Sequence, residues 1–108
     1  LPWMPWSREK MKSLKGELVF INFTAKWCFT CKVNEKFVLH SDDFKNLIDK
    51  YQLKLLLGDW TKRDDRIGSF LKENSLVGVP AYFIQKKNGE LISLGETISI
   101  SKIESNLK

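Results

Sequence analysis

Cys28 and Cys31 are the only cysteines in the chain, and two residues separate them. They follow an apolar run, Leu18 to Phe23, and stand where a helix is predicted to begin. A pair at this spacing can close a small disulfide ring, and the unpaired N–H groups of a helix N-terminus favour a thiolate over a thiol. The spacing and the placement together predict dithiol–disulfide exchange.

Two other interpretations of the cysteine pair stay open. A structural zinc site needs about four ligands, and His40 is the only further Cys or His in the chain, so a metal ion would have to be shared with a partner. A purely structural disulfide is disfavoured because so short a ring removes little entropy from the unfolded chain. His40 is expected to end the helix as a solvated residue without a catalytic role.

Length and composition indicate one folded domain. The 108 residues are 43% hydrophobic and include seven Phe and four Trp to fill a core. No apolar run approaches the ~20 residues that cross a bilayer, and the start lacks the apolar segment of a signal peptide, so we expect a soluble domain. The first residue, Leu1, is consistent with a processed protein or an excised domain. The net charge of +5 is scattered, which predicts a solvated surface rather than a nucleic-acid-binding face.

The N-terminal residues are predicted to be an addition to the main domain. Residues 1–16 are expected to form an arm too rich in proline at its start for regular structure, followed by a short helix capped by Ser7. Trp3 and Trp6 should pack on the domain, since large aromatic side chains normally bury area. Residues 17–108 are expected to form the domain itself.

The apolar patterns over residues 17–108 predict alternating strands and helices. A helix over 28–39 would turn Val33 and Phe37 towards the core. The later predicted elements are a helix after Ser41, a strand over 53–59, a helix over 64–74, a strand over 81–85, a turn at Asn88-Gly89, a strand over 91–94 and a helix after Ser99. This order predicts an α/β protein with a mixed four-stranded sheet and helices on both faces.

Four short segments of the sequence resemble those of a known family. They are Trp3-Met4-Pro5-Trp6-Ser7, the segment from Phe23 to Glu35, Asp59-Trp60-Thr61 and Gly78-Val79-Pro80-Ala81-Tyr82. The element order resembles the thioredoxin fold. The four segments resemble the C-terminal periplasmic domain of the thiol:disulfide interchange protein family DsbD. The resemblance covers nearly the whole chain. A free-standing thioredoxin more typically has Gly-Pro between its cysteines, where this chain has Phe29-Thr30.

The resemblance implies an electron relay. In that family a transmembrane domain brings reducing equivalents across the inner membrane, and the C-terminal domain passes them to an N-terminal domain. The N-terminal domain serves periplasmic disulfide isomerases and cytochrome c maturation proteins. This chain would then be a monomeric periplasmic domain of a bacterial inner-membrane protein, with no metal or organic cofactor beyond a Cys28–Cys31 disulfide. A free-standing or separately anchored thioredoxin-like reductase and a noncatalytic, metal-sharing module are the alternatives.

The expected chemistry assigns a role to each residue of the pair. Cys28, as the exposed first cysteine, is the expected nucleophile, and Cys31 is the resolving thiol. Thioredoxin-like proteins typically place a buried Asp six residues before the first cysteine, but this chain has Asn22, which cannot titrate. The resemblance implies that Glu35, if it is partly buried near the pair, raises the thiol pKa and shuttles a proton.

The resemblance also implies where a partner would bind. Pro80 is expected to follow a cis peptide bond, with the Val79 backbone pairing to an extended partner segment. Trp27, Phe29 and Tyr82 are expected to form an apolar rim around the sulfur atoms, with packing in the core as the alternative for Tyr82. Asp59-Trp60-Thr61 leaves its predicted strand at the same sheet edge as the cysteines, so it either contacts the site or is a simple turn into the next helix.

Overall fold

A five-stranded mixed sheet forms the centre of the protein. The computed structural model describes the whole chain, Leu1–Lys108. The spatial strand order is β1-β3-β2-β4-β5, in which β1, β3 and β2 run parallel and β4 is antiparallel to both β2 and β5. The strands are β1 (Trp3–Pro5), β2 (Val19–Thr24), β3 (Lys54–Asp59), β4 (Ala81–Gln85) and β5 (Leu91–Gly95). The predicted thioredoxin-fold architecture is confirmed, with one strand more than predicted.

Helices cover both faces of this sheet. They are α1 (Arg8–Ser13), α2 (Phe29–Asn34) continued by a π turn (Glu35–Leu39), α3 (Asp42–Tyr51), α4 (Asp65–Glu73) and α5 (Ile100–Leu107). The π turn, α3 and α5 contribute to the core on one face, and α4 and the end of α1 to the core on the other. None of these helices combines the length and apolar content needed to span a bilayer.

The local signals read from the sequence explain where several helices begin. Ser7, Ser41 and Ser99 each cap a helix, with the hydroxyl accepting the N–H of the residue three positions later. The strand β2 is buried on both faces because it lies between β3 and β4 beneath helices on either side. The chain therefore leaves the C-terminal end of β2 at the sheet edge where the cysteine pair lies and α2 begins.

The expectation that the start of the chain lacks regular structure is wrong. Residues Trp3–Pro5 form β1, which pairs in parallel with β3 over Leu55 to Leu57. Proline is compatible with this position because β1 is an edge strand, where some N–H groups have no ladder partner. The pairing depends on a strand more than 50 positions away in the sequence, so local composition did not reveal it.

The two tryptophans of the arm pack on the domain, as predicted. The Trp3 ring lies 6.4 Å from that of Phe44, on one face of the sheet. The Trp6 ring lies 5.1 Å from those of Phe23 and Phe70, on the opposite face. The arm therefore adds aromatic area to both cores of the protein.

The predicted orientation of the helix after the cysteines is also wrong. Val33 and Phe37 are 37% and 68% exposed instead of facing the core. In the π turn the His40 N–H donates to the Glu35 carbonyl at 2.8 Å, which inserts one extra residue into the helical turn. The buried side is formed by Cys31, Asn34, Val38 and Leu39. Val33 and Phe37 thus belong to an exposed apolar face of this helix.

Candidate redox site

Cys28 and Cys31 form a disulfide at the N-terminal end of α2. Cys28 is the N-cap residue, and its Sγ accepts a hydrogen bond from the Cys31 N–H at 3.2 Å. The sulfur thus occupies the position in which a Ser or Asp oxygen usually caps a helix. Because the N-terminal end of the helix carries partial positive charge, this position favours negative charge on the Cys28 sulfur after reduction.

Both cysteines are buried, and Cys28 is the more accessible of the two. Cys28 is 6% exposed and Cys31 is fully buried. Ala25 and Val79 pack against the pair. The expectation of an exposed Cys28 therefore holds only relative to Cys31.

Two of the three aromatic residues expected in the rim lie at the surface. Trp27 and Phe29 flank Cys28 in the sequence and are 49% and 79% exposed. Tyr82 is not part of the rim, because it is fully buried and its hydroxyl accepts a hydrogen bond from Asn34 Nδ2 at 3.1 Å. Burial raises the pKa of Tyr82 to about 12, with the Asn34 hydrogen bond acting against the rise and the Glu35 charge adding to it. The phenol therefore stays protonated at physiological pH.

The loop before β4 offers free backbone groups beside the disulfide. The Val79–Pro80 peptide bond is cis, as predicted. Val79 is half-buried against the cysteine pair, and its N–H and carbonyl make no hydrogen bond within the chain. An extended segment of another protein can therefore pair with Val79 without displacing an internal bond.

Glu35 is half-buried and held by the last residue of β2. Its Oε2 accepts a hydrogen bond from Thr24 Oγ1 at 2.9 Å. Asn22 lies two positions earlier on the same face of β2 and is 3% exposed, and its Oδ1 has no hydrogen-bond partner in the protein. Glu35 is the only carboxylate on α2 and its π turn.

Asn34 is a residue of the site to which the sequence analysis gave no role. Its side chain is buried, and Nδ2 donates to Tyr82 Oη at 3.1 Å and to the Glu96 carbonyl at 2.9 Å. These two bonds tie α2 to β4 and to the segment after β5. An amide three positions after Cys31 lies on the same helix face as that buried sulfur, and this spacing is the signal that could have revealed it.

The turn after β3 supports Trp27. Trp27 Nε1 donates to the Thr61 carbonyl at 2.9 Å, and the Lys26 N–H donates to Thr61 Oγ1 at 3.0 Å. The N–H and the hydroxyl of Thr61 both donate to Asp59 Oδ1. The segment is the turn that leads from β3 to α4, and it also contacts the site through Trp27, so both possibilities hold.

The side chain of Arg63 packs against Trp27 on this side of the site. The Arg63 guanidinium lies 4.8 Å from the centroid of the Trp27 ring and 5.7 Å from that of Trp60. The two indole rings are 6.3 Å apart. Arg63 thus attracts both ring faces and limits the movement of Trp27 beside the disulfide.

Removing the Thr61 hydroxyl should weaken the contact between Thr61 and the segment Lys26-Trp27, because the Lys26 N–H loses its acceptor. It should also change the titration of Asp59. Hydrogen bonds from the Thr61 hydroxyl, and then from its N–H, lower the pKa of Asp59. The stabilisation from Asp59 is accordingly present above the pKa of the unfolded chain and is lost as the pH falls through the folded value. We expect Thr61→Val to raise the pKa of Asp59 towards its ordinary value, as measured by NMR titration of the carboxyl carbon.

The exposed Thr97 provides a matched control for this substitution. Thr97→Val removes the same hydroxyl at a site remote from Asp59, so the titration midpoint of Asp59 should not move. A midpoint in Thr61→Val equal to that of the unmodified protein would show that the Thr61 hydroxyl does not lower the pKa of Asp59.

The fold and the CxxC disulfide define a thioredoxin-like oxidoreductase. The chain belongs to the thioredoxin-like family, which it matches over residues 3–86. It is 33% identical over 98 residues to "Putative thioredoxin-4" of Dictyostelium discoideum, which covers 88% of this chain and 85% of that protein. It is also 30% identical over 76 residues to the thiol:disulfide interchange protein DsbD of Vibrio cholerae, which covers 70% of this chain but only 12% of that protein.

A solved structure shares this fold. The oxidised C-terminal domain of Neisseria meningitidis DsbD matches with a TM-score of 0.73 and 23% identity, over 91% of this chain and 87% of that chain.

Proposed function

We propose that this chain is a protein-disulfide reductase that acts by dithiol–disulfide exchange. The observation that carries the proposal is the position of Cys28, whose sulfur caps α2 and which is the only residue of the pair with any exposed surface. Cys31, one turn inside the helix, is positioned to attack Cys28 but not a partner protein. Cys28 is accordingly the nucleophile and Cys31 the resolving thiol.

The exchange proceeds in two displacements. The Cys28 thiolate attacks one sulfur of the partner disulfide, a bond forms between them, and the other partner sulfur leaves as a thiolate that takes up a proton. Cys31 then loses its proton and attacks the Cys28 sulfur, which releases the second partner sulfur. Two electrons have passed to the partner, and the Cys28–Cys31 disulfide has formed again. An upstream dithiol returns the pair to the reduced state by the same steps in reverse.

The surroundings of the disulfide support binding of an extended partner segment. The unpaired Val79 backbone groups beside Pro80 provide strand-like hydrogen bonds. Trp27 and Phe29, which flank Cys28 in the sequence, provide exposed apolar surface. Recognition through main-chain groups and apolar contact places few demands on the partner's sequence.

Within this activity we place the chain in a relay of the DsbD type. A transmembrane domain would supply electrons, and an N-terminal domain on the periplasmic side of a bacterial inner membrane would accept them. Periplasmic disulfide isomerases and cytochrome c maturation proteins would lie downstream. The identity to Vibrio DsbD and the similarity to the Neisseria DsbD domain support this placement.

A free-standing thioredoxin-like reductase is the second candidate. The match to the Dictyostelium protein favours it, because that match covers 85% of the relative rather than a small part of a larger protein. The parent open reading frame separates the two candidates. A multi-span membrane region encoded immediately upstream supports the relay, and a reading frame without one supports the free-standing reductase.

Reduction of insulin tests the reductase activity itself. With dithiothreitol as the electron donor, we expect the protein to accelerate the precipitation of the released insulin B chain. A precipitation rate equal to that with dithiothreitol alone would contradict the proposed function.

Glu35 is proposed as the group that takes the proton from Cys31 in the second displacement. General-base assistance typically contributes about 10²-fold or more, so we expect Glu35→Gln to slow release of the partner by roughly this factor at pH 7. The defect should shrink as the pH rises, because hydroxide then competes with Glu35 for the Cys31 proton. Stopped-flow measurement of the release step as a function of pH provides the test.

Glu90 offers a matched control for the loss of a carboxylate. It is exposed in the turn between β4 and β5, so Glu90→Gln should leave the pH profile unchanged. If the pH profile of Glu35→Gln coincides with that of Glu90→Gln, Glu35 does not take the proton from Cys31. That result would contradict the proposed role of Glu35 but not the proposed reductase activity.

A further inference from the structure

An apolar stripe runs along the outer face of α2 and its π turn, starting at the disulfide. Phe29, Val33 and Phe37 are 79%, 37% and 68% exposed. Their spacing of four residues places them in a row on one face of the helix. Single exposed apolar residues are normal on a protein surface, but a contiguous row of them marks an interaction site.

Unpaired positive charge borders this apolar stripe. Lys32 and Lys36 lie on the same helix and are exposed, and neither takes part in any ion pair of the protein. The Lys36 Nζ lies 5.6 Å from the centroid of the Phe37 ring. The single acidic side chain of this helix, Glu35, is engaged by Thr24 instead. A carboxylate of another molecule therefore meets no internal competitor at these lysines.

The position of Phe29 decides which kind of molecule covers the stripe. Phe29 lies between the two cysteines in the sequence, so anything bound along the stripe also lies beside Cys28. A lipid surface there would obstruct the approach of a partner disulfide, whereas a protein that brings its own disulfide to Cys28 can extend onto the stripe. Exchange and docking are compatible only when the occupant is the redox partner.

We propose that Phe29, Val33 and Phe37, bordered by Lys32 and Lys36, form a docking surface for a redox partner with an apolar contact segment flanked by carboxylates. This proposal rests on the reductase function proposed above and specifies its partner class. The stripe adds selectivity that the main-chain groups of Val79 lack, and the lysines accelerate encounter with an acidic surface.

Two synthetic cystine peptides test the proposed partner class. The stripe from Phe29 to Phe37 spans about 12 Å at the rise of a helix, which roughly four extended residues cover. Each peptide therefore carries, over the four residues after its disulfide, two Leu alternating with either two Glu or two Lys. We expect the pre-reduced protein to reduce the Glu peptide about tenfold faster at low salt, with the difference shrinking as ionic strength rises.

Matched variants locate this preference on the stripe. The double variant K32E/K36E should reverse the order of the two peptides, whereas K72E, on the opposite side of the sheet in α4, should keep it. F37S should lower the rate with the Glu peptide relative to the rate with oxidised glutathione. L1S, which removes a half-exposed apolar side chain elsewhere, should leave that ratio unchanged.

Several results would overturn the docking surface. Equal rates with the two peptides at low salt would do so, as would a change in K72E as large as that in K32E/K36E. Equal peptide rates together with sedimentation on phosphatidylglycerol-containing vesicles, lost in F37S, would assign the stripe to a lipid surface instead. Failure to reduce even oxidised glutathione and insulin would overturn the reductase function itself, and the docking surface with it.

Discussion

Replacing Cys31 with serine is expected to stop turnover and to accumulate a covalent complex with the substrate. In Cys31→Ser the Cys28 thiolate still attacks a substrate disulfide, but no second thiol releases the product. With insulin as the substrate, intact-mass spectrometry should show one insulin molecule bound per protein molecule, with its two chains still joined by the disulfide that was not attacked. The bond must be at Cys28 because the chain has no other cysteine.

The reciprocal variant should behave differently. Cys28→Ser leaves only Cys31, which has no surface exposure in the folded protein. We expect complete loss of turnover and no mixed disulfide. Capture of insulin by Cys28→Ser at a rate similar to that of Cys31→Ser would reverse the proposed roles of the two thiols. Thermal unfolding of both variants against the reduced wild-type protein verifies that each is folded.

Replacing Asn34 with alanine should cause the largest loss of stability among the polar substitutions at the site. The change removes two hydrogen bonds and leaves the buried Tyr82 hydroxyl without its partner. An unsatisfied buried polar group costs about 1–3 kcal/mol, so we expect a decrease of about 2–3 kcal/mol in the free energy of unfolding. Chemical denaturation of the oxidised protein measures this difference.

Two further variants separate the Asn34 bonds from a general effect of losing an amide. Asn46 is exposed on α3, so Asn46→Ala should change the free energy of unfolding by less than about 0.5 kcal/mol. A double-mutant cycle of Asn34→Ala with Tyr82→Phe should give a coupling energy of at least about 0.5 kcal/mol. Zero coupling would show that the hydrogen bond between these side chains does not stabilise α2.

The central strands and most helices could be predicted because local patterns determine them. The continuous apolar run of β2 reflects burial on both faces. Ser41 and Ser99 mark helix starts through their own side-chain bonds. The short strand β1 could not be predicted in this way, because Trp3–Pro5 becomes a strand only where β3 is available to pair with it.

The orientation of α2 shows a different limit of pattern analysis. The four-residue spacing of Val33 and Phe37 is typical of a core-facing stripe, yet both residues are exposed, and the amide of Asn34 is buried instead. Asn34 can be buried because Tyr82 and Glu96 satisfy its hydrogen bonds, and those partners are distant in sequence. Such disagreement between local pattern and structure is expected at functional surfaces.

The candidate site was predictable at the cysteines and less so around them. Cys28 and Cys31 stand out by type and spacing, and the resemblance placed Val79 and Pro80 beside them. The support of Trp27 by Thr61 depends on a turn 34 residues away, which no spacing rule reveals. The sheet edge at which β2 and β3 both end was the sequence feature that indicated this contact.

The rate of alkylation of each thiol in the reduced protein tests the central claim most directly. Mass spectrometry after brief exposure to iodoacetamide at pH 7 should show modification of Cys28, with Cys31 protected until the protein is unfolded. That result would establish one accessible, ionised sulfur and one buried, resolving sulfur. Equal modification of both thiols, or none at either, would contradict the exchange mechanism.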